Sequence, residues 1–155
     1  MKAEQRVMAD AESLIDAATV QFIASARAAI AKRGVFHVAL AGGSTPKGLY
    51  QKLATAPYSE QIDWSRVHLF FGDERCVPAT HDDSNYKMAT QAMIEHIAIP
   101  AENVHRMETE AGDAAEVAKH YAATMERVLQ GQPLDLVLLG LGPDGHIASL
   151  FPETD

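Results

Sequence analysis

Apolar residues recur at helical spacing in four stretches of this chain. In Ala11–Ile30 they stand three or four positions apart, which indicates an amphipathic helix, and Gly34 follows where such a helix would end. Residues that favour the N-cap position precede two of the other stretches: Thr45 precedes one, and Asp83 or Ser84 precedes another. The three further predicted helices cover Pro46–Ala54, Asn85–Ile97 and Ala114–Leu129.

Apolar runs that are too short to form helices lie between these stretches. They cover Val35–Ala41, Val67–Phe71 and Leu134–Leu139, and Asn103–Met107 is predicted as a further short strand. Such runs are typical of strands that are buried on both faces of a parallel sheet. Because strands alternate with helices, we expect an α/β fold with an open, mostly parallel sheet and helices on both faces, a Rossmann-like arrangement of three layers.

The sequence stops at Asp155, soon after the third long strand. The residues just before this point have the pattern of another helix, and an α/β domain usually completes such a helix and packs it on the sheet. We therefore expect residues 1–155 to form a single α/β domain that is incomplete at its C-terminal end.

Composition narrows the class of protein. A single cysteine excludes an internal disulfide, and an apolar share of 47% is ordinary for a soluble globular chain. The 13 Lys and Arg against 21 Asp and Glu give a net charge of −8, which disfavours nucleic-acid binding because that depends on cations neutralising phosphates. The N-terminus is too polar for a signal peptide, and no apolar run reaches the ~20 residues that span a bilayer. The composition therefore predicts a cytoplasmic protein that binds neither nucleic acid nor membrane.

The first loop with chemical potential follows the first predicted strand. Gly42 and Gly43 let the backbone approach a ligand closely, and Ser44 and Thr45 add hydroxyl groups. The N-terminus of the next helix offers unpaired N–H groups and a positive dipole end, which suits a phosphate. The alternative is a tight strand-to-helix turn in which the glycines serve only the backbone. The Gly-Lys-Ser/Thr ending of a nucleoside-triphosphate loop is not present.

The second loop places three charges directly after the second strand. Arg75 is suited to clamp a phosphate or carboxylate with two hydrogen bonds, and Asp73 or Glu74 is expected to hold its guanidinium in place. The alternative is a solvated loop with a local ion pair.

The third loop follows the third strand and is rich in glycine. It contains Asp144 and His146 two positions apart, and histidine is the side chain best suited to proton transfer near neutral pH. A neighbouring carboxylate can orient the ring and stabilise the imidazolium. The alternative is that Asp144 caps a helix and His146 lies in its first turn. The other histidines have no metal-ligand spacing, so no metal is predicted.

Four stretches, in this order, resemble the 6-phosphogluconolactonase family of the glucosamine/galactosamine-6-phosphate isomerase superfamily. Each alone is moderately specific, and four in order with strand-compatible spacing are strongly so. The likeness runs from about Val35 to the C-terminus. The matching stretches are Ala41–Pro46 (AGGSTP), Phe71–Pro78 (FGDERCVP), Asp83–Tyr86 (DSNY) and Gly140–Pro152 (GLGPDGHIASLFP).

The resemblance implies hydrolysis of 6-phospho-D-glucono-1,5-lactone to 6-phospho-D-gluconate in the pentose phosphate pathway, without a metal or organic cofactor. His146 matches the family's proposed general base, and Asp144 matches its acidic companion. The residues that match the phosphate-binding loop and the strand-end motif are Gly43, Ser44, Thr45, Asp73 and Arg75. The implied partner is thus a small phosphosugar lactone.

Two other hypotheses stay open. The related amino-sugar-phosphate isomerase/deaminase family has a glutamate where this sequence has Phe151, and an Asp-Glu-Tyr motif where this sequence has Arg75, so both positions favour the lactonase. The second hypothesis is a non-catalytic phosphosugar-binding fragment, because the lactonase family normally continues further and supplies another basic residue near the phosphate. The sequence predicts no oligomeric state.

Overall fold

A computed structural model describes residues 3–153 of the chain. The helices are α1 (Ala11–Arg33), α2 (Ser44–Leu53), α3 (Asn85–Ala92) and α4 (Ala114–Leu129). The strands are β1 (Phe36–Leu40), β2 (Val67–Phe71) and β3 (Leu136–Val137). Short 3-10 turns lie at Ser59–Gln61, Trp64–Arg66, Ile94–His96 and Ala101–Asn103.

The three strands form one parallel sheet in the order β2-β1-β3. Phe36 pairs with Val67 at the start of β1, and Val38 pairs with Leu136 on its other side. The predicted strand at 103–107 is reduced to a single parallel bridge between Leu69 and Val104. The prediction of a parallel α/β sheet is confirmed.

Helices cover both faces of the sheet, as predicted. Val38 of β1 points into an apolar cluster with α1, α2 and α3, whereas its neighbour Ala39 points to the opposite face. On that opposite face Ala39 and Phe70 pack against Tyr121 of α4. Side chains alternate between faces along a strand, so consecutive apolar residues supply both layers of the core. Burying one large side chain of this kind stabilises the fold by roughly 1.5–3 kcal/mol.

Three helices differ from their predicted bounds. α1 continues past Ile30 to Arg33 and ends before Gly34. The N-cap of α2 is Gly43 rather than Thr45, so Ser44 and Thr45 lie inside the first turn. Ser84 caps α3 by accepting a hydrogen bond from the backbone N–H of Lys87. This helix ends at Ala92 rather than Ile97, because Met93 leaves helical geometry with φ −146° and buries its side chain completely.

The segment after β3 also differs from the prediction. The residues from 143 to 153 form turns instead of the start of a helix, and Thr154 and Asp155 lie outside the described residues. Gly145, Ala148 and Glu153 have positive φ values of 86°, 53° and 60°, which a right-handed helix does not allow. The predicted strand 134–139 is shorter as well, although the backbone N–H of Leu138 still donates to Ala39.

In the described part of the chain, α1 is long and apolar enough to cross a membrane, judged by length and composition alone. This differs from the sequence-based expectation that no apolar run is long enough to span a bilayer. In the folded chain, Phe22 and Ala26 of α1 are fully buried in the core against the sheet.

Three histidines meet on the α4 face of the sheet: His37 in β1, His68 in β2, and His105 in the segment that runs beside β2. His68 Nδ1 lies 3.0 Å from His105 Nε2, and their rings stack with centroids 5.3 Å apart. The His37 ring meets His68 edge-on at 5.5 Å. Burial lowers the pKa of each imidazole, and nearby His68 and Arg127 help to lower the pKa of His105 to about 4.

This cluster predicts that acid destabilises the fold. In the unfolded chain His105 has a pKa near 6.5. Between about pH 6.5 and pH 4 the unfolded state therefore binds a proton at this histidine that the folded state does not bind. Stability should therefore fall as the pH is lowered through this window. The measurement is the melting temperature of the wild-type chain and of His105→Gln between pH 7 and pH 4.5. The melting temperature of the variant should decrease less steeply with falling pH.

The control for this experiment is His120→Gln, because His120 lies exposed on α4. Its melting temperature should follow the wild-type curve. Equal slopes for wild type and His105→Gln would contradict the prediction.

Candidate active site

A cleft of about 410 Å³ opens where β1 and β3 end. The chain leaves β1 towards β2 on one side, and β3 returns on the other side, so this is the point where the strand order reverses. Open parallel sheets bind ligands at such a point, and the volume is typical of small-molecule sites. Among the predicted site residues, those that line the cleft are Gly42, Gly43, Ser44, Thr45, Asp73, Arg75 and His146. Asp144 does not line it.

The first wall of the cleft is the N-terminus of α2. Gly43 has φ 105°, a conformation that side-chain-bearing residues rarely adopt, and no side chain caps this helix end. The backbone N–H groups of Ser44 and Thr45 therefore lie at an uncapped helix N-terminus, with a partial positive charge. Gly42 is also required, because a side chain there would overlap the Asn85 amide.

The loop after β2 forms the second wall. The Glu74 carboxylate accepts hydrogen bonds from the backbone N–H groups of Asn85 at 2.7 Å and of Tyr86 at 2.9 Å, so it stabilises the start of α3. Asp73 accepts from the Asn85 side chain and from Ser149.

Neither acid pairs with the Arg75 guanidinium, which corrects the prediction made for this loop; Glu74 accepts a hydrogen bond from the backbone N–H of Arg75 at 2.8 Å instead. Within residues 3–153 the Arg75 guanidinium has no carboxylate partner, and it lines the cleft from an exposed position. The cation therefore stays available for an anionic ligand.

The third wall carries the dyad of His146 and Asp144. His146 Nδ1 lies 2.5 Å from Asp144 Oδ1, and the two side chains are 34% and 55% exposed. Hydrogen bonds from the ring and from the backbone N–H of His146 lower the pKa of Asp144. An ionised carboxylate can only accept, so Nδ1 carries a proton, and in the neutral ring Nε2 keeps its lone pair. Asp144 thus acts through His146 and not from the cleft wall.

Glycine and an aromatic ring shape the surroundings of His146. The backbone N–H of Gly142 donates to the carbonyl of His146 at 2.9 Å, and a side chain on Gly142 would overlap the imidazole. The Phe151 ring packs against the His146 imidazole, with ring centroids 4.8 Å apart and ring planes inclined by 33°. The glycine at position 142 is therefore a packing requirement of the dyad.

Comparison with known proteins identifies the family. The family described as glucosamine-6-phosphate isomerases/6-phosphogluconolactonase matches residues 9–155, nearly the whole chain. The chain belongs to this family.

Individual relatives agree with the assignment to the lactonase/isomerase family. A 6-phosphogluconolactonase from Synechocystis sp. is 43% identical over 153 residues, covering 96% of this chain. A 6-phosphogluconolactonase from Mycobacterium leprae is 40% identical over 162 residues, covering 99% of this chain. The solved 6-phosphogluconolactonase from Trypanosoma cruzi superposes with a TM-score of 0.85 at 32% identity, over 97% of this chain.

The chain is shorter than these lactonase/isomerase family members. It spans 62% of the Synechocystis protein, 65% of the Mycobacterium leprae protein and 62% of the Trypanosoma cruzi chain.

Sequence reasoning missed two tyrosines that fix the site in this family member. The Tyr50 hydroxyl accepts from the backbone N–H of Ala41 at 2.9 Å and donates to its carbonyl at 2.8 Å. The Tyr121 hydroxyl accepts from the N–H of Phe71 at 2.7 Å. Burial raises the pKa of both phenols, that of Tyr121 to about 12. Each tyrosine thus fixes the end of one strand at the cleft, and a tyrosine on an otherwise apolar helix face is the signal that could have revealed them.

The packing of the dyad predicts the effect of a single methyl group. Gly142→Ala should displace the imidazole, because the new Cβ would occupy the space of the ring. We expect a changed chemical shift of the His146 ring Cε1–H in ¹H–¹³C NMR spectra, since the hydrogen bond to Asp144 is lost or bent.

A matched control lies two residues earlier. A Cβ on Gly140 meets no atom within 4 Å, so Gly140→Ala should leave the His146 signal unchanged. Identical His146 signals in both variants would show that Gly142 does not support the dyad.

Proposed function

We propose that this chain hydrolyses 6-phospho-D-glucono-1,5-lactone to 6-phospho-D-gluconate, a step of the pentose phosphate pathway. One observation carries the proposal: the His146 imidazole, held by Asp144, lines the same cleft as the uncapped N-terminus of α2 and the Arg75 guanidinium, which has no carboxylate partner within residues 3–153. A general base and an anion site within one small cleft suit a phosphorylated, hydrolysable substrate. The names of the relatives support the choice of a lactone.

The phosphate binds at the start of α2 in this proposal. Its oxygens accept hydrogen bonds from the backbone N–H and hydroxyl groups of Ser44 and Thr45, where the helix dipole is favourable. Arg75 adds a full positive charge from the opposite loop. This local charge offsets the net charge of −8, which repels an anionic substrate at long range.

The reaction then needs one base and one water molecule. His146 Nε2 accepts a proton from the water as its oxygen bonds to the lactone carbonyl carbon, and the carbonyl becomes a tetrahedral oxyanion. When the oxyanion collapses, the bond from this carbon to the ring oxygen breaks, and the imidazolium protonates the departing oxygen. Asp144 stabilises the imidazolium between the two steps, since the lowered pKa keeps its carboxylate ionised. An activated ester requires neither metal nor organic cofactor for this sequence.

The remote phosphate contributes to the rate as well as to binding. Its binding energy fixes the carbonyl beside the water and the imidazole, which replaces a diffusional encounter by a positioned one. Gly42 and Gly43 serve this function by letting the loop backbone approach the ligand. We also propose a cytoplasmic location without a nucleic-acid partner, because of the net charge of −8, and without a membrane partner, because α1 packs its apolar side chains on the sheet.

The environment of His146 favours lactone hydrolysis over amino-sugar isomerisation and deamination. Phe151 packs on the imidazole at the position where the deaminases carry a glutamate for ring opening. An aromatic ring can neither accept nor deliver the proton that ring opening requires.

Removal of the base is the direct test of the proposal. His146→Ala should lower kcat for freshly generated 6-phosphogluconolactone by roughly 10²–10⁴-fold, the usual contribution of a positioned general base. The assay follows acid release by the 155-residue chain, with the spontaneous opening of the lactone subtracted.

His120→Ala is the control, because that histidine is exposed on α4 away from the cleft. Ammonia release from glucosamine 6-phosphate in a parallel assay would favour the deaminase. Saturable lactone binding by a folded chain without turnover would instead favour the phosphosugar-binding module. Either result would overturn the proposal.

A second prediction concerns recognition of the phosphate. Arg75→Ala should raise KM for the phosphorylated lactone about tenfold or more, and should leave kcat/KM for unphosphorylated glucono-1,5-lactone nearly unchanged. The preference for the phosphorylated substrate should therefore shrink. Lys119→Ala, on the exposed surface of α4, should keep the wild-type preference. An unchanged preference in Arg75→Ala would exclude Arg75 from the phosphate site.

A further inference from the structure

The loop that carries His146 is held largely by its own backbone. The N–H of Gly145 donates to Gly142, and Ile147 and Leu150 exchange hydrogen bonds at 3.2 and 3.0 Å. These bonds give the loop a shape, but they do not determine where it lies relative to the phosphate site across the cleft.

Ser149 makes a hydrogen bond to a residue of a different loop. Its hydroxyl donates to Asp73 Oδ2 at 2.9 Å, and so joins the His146 loop to the loop after β2, 76 positions earlier in the chain. Ser149 itself is exposed and does not line the cleft. An exposed hydrogen bond of this kind adds little to global stability, whereas it fixes the distance between two walls of the site.

Asp73 is linked in turn, through Asn85, to the phosphate-binding loop at Gly42. Its other oxygen, Oδ1, accepts from Asn85 Nδ2 at 3.3 Å, and its backbone carbonyl accepts from the same group at 3.1 Å. Asn85 is only 5% exposed, and it packs so closely on Gly42 that no side chain fits there. Both carboxylate oxygens of Asp73 are thus engaged by residues of this chain.

We propose that Ser149 is a positioning residue, which through Asp73 and Asn85 holds the His146 loop at a fixed distance from the phosphate-binding loop. Asp73 is then the junction between the walls of the cleft rather than a ligand of the phosphate, which a carboxylate would repel. This inference rests on the proposed hydrolysis and names the residue that aligns its base with its anion site.

The proposal predicts a specific kinetic effect. Ser149→Ala should lower kcat for the phosphorylated lactone about tenfold and change KM less than twofold. The anion site stays intact, while the imidazole is no longer aligned with the carbonyl, and a displacement of about 1 Å can cost 10²-fold in rate. Ser149→Thr keeps the hydroxyl and should restore most of the activity.

The chain offers a matched control. Ser65 is also an exposed serine whose hydroxyl donates to an aspartate, Asp63, at 2.6 Å, but it lies far from the cleft in the turn before β2. Ser65→Ala should keep the wild-type kcat and KM. In an Asp73→Ala background, Ser149→Ala should lower kcat by less than a further twofold, because the two residues act as one connection.

Two results would overturn the proposal. A raised KM with unchanged kcat in Ser149→Ala would make Ser149 a substrate ligand, and additive effects of Ser149→Ala and Asp73→Ala would separate the two residues. If Asp73→Ala fails to fold, the kcat values of Ser149→Ala and Ser149→Thr still test the proposal, because only the threonine keeps the hydroxyl.

A readout without substrate separates this proposal from the proposed function. In the unliganded chain, Ser149→Ala should speed amide hydrogen exchange at residues 142–147 and shift the His146 ring signal, with an unchanged melting temperature. If the wild-type chain hydrolyses no lactone but this change is seen, the connection stands and the proposed reaction fails. If neither exchange nor ring signal changes, the connection itself is refuted.

Discussion

β1 hydrogen-bonds to β2 on one side and to β3 on the other, in the parallel sense both times. Parallel strands end at the same edge of a sheet, so this pairing brings together three loops that are far apart in the sequence. The glycine loop at 42–45, the charged loop at 73–75 and the histidine loop at 140–153 all depend on it. Without the central position of β1, the cleft and its opposed chemical groups would not exist.

The polar groups at this edge divide into those that build the site and those that it leaves available. The first group bonds within the protein: Glu74 accepts from the start of α3, and Asp73 accepts from Asn85 and Ser149. The Arg75 guanidinium and the N-terminus of α2 keep their positive charge exposed to the cleft. Acidic residues therefore fix the geometry of the loops, and positive charge faces the cleft. The proposed anion site of this acidic chain rests on that division.

The strongest sequence signals were the periodic ones. The bounds of α4 and β2 were predicted to the residue, because spacing of apolar positions follows directly from the face that must be buried. The three site loops were also found, since glycine, charged residues and histidine directly after an apolar run are unusual. Two of the errors lie where one residue overrides the pattern: Met93 ends α3 and is buried, and Ala148 adopts a positive φ.

By itself, the sequence determined the α/β class, the order of the elements and the chemical groups at each strand end. These follow from periodicity and residue type, which are local properties. Only the tertiary structure decided which groups are in contact. In the described residues the Arg75 guanidinium has no carboxylate partner, Glu74 binds the start of α3, and Ser149 donates to Asp73. Such pairings depend on the register of β1 with its neighbours and on the space left between loops. Both are set by contacts between distant parts of the chain, so no single segment determines them.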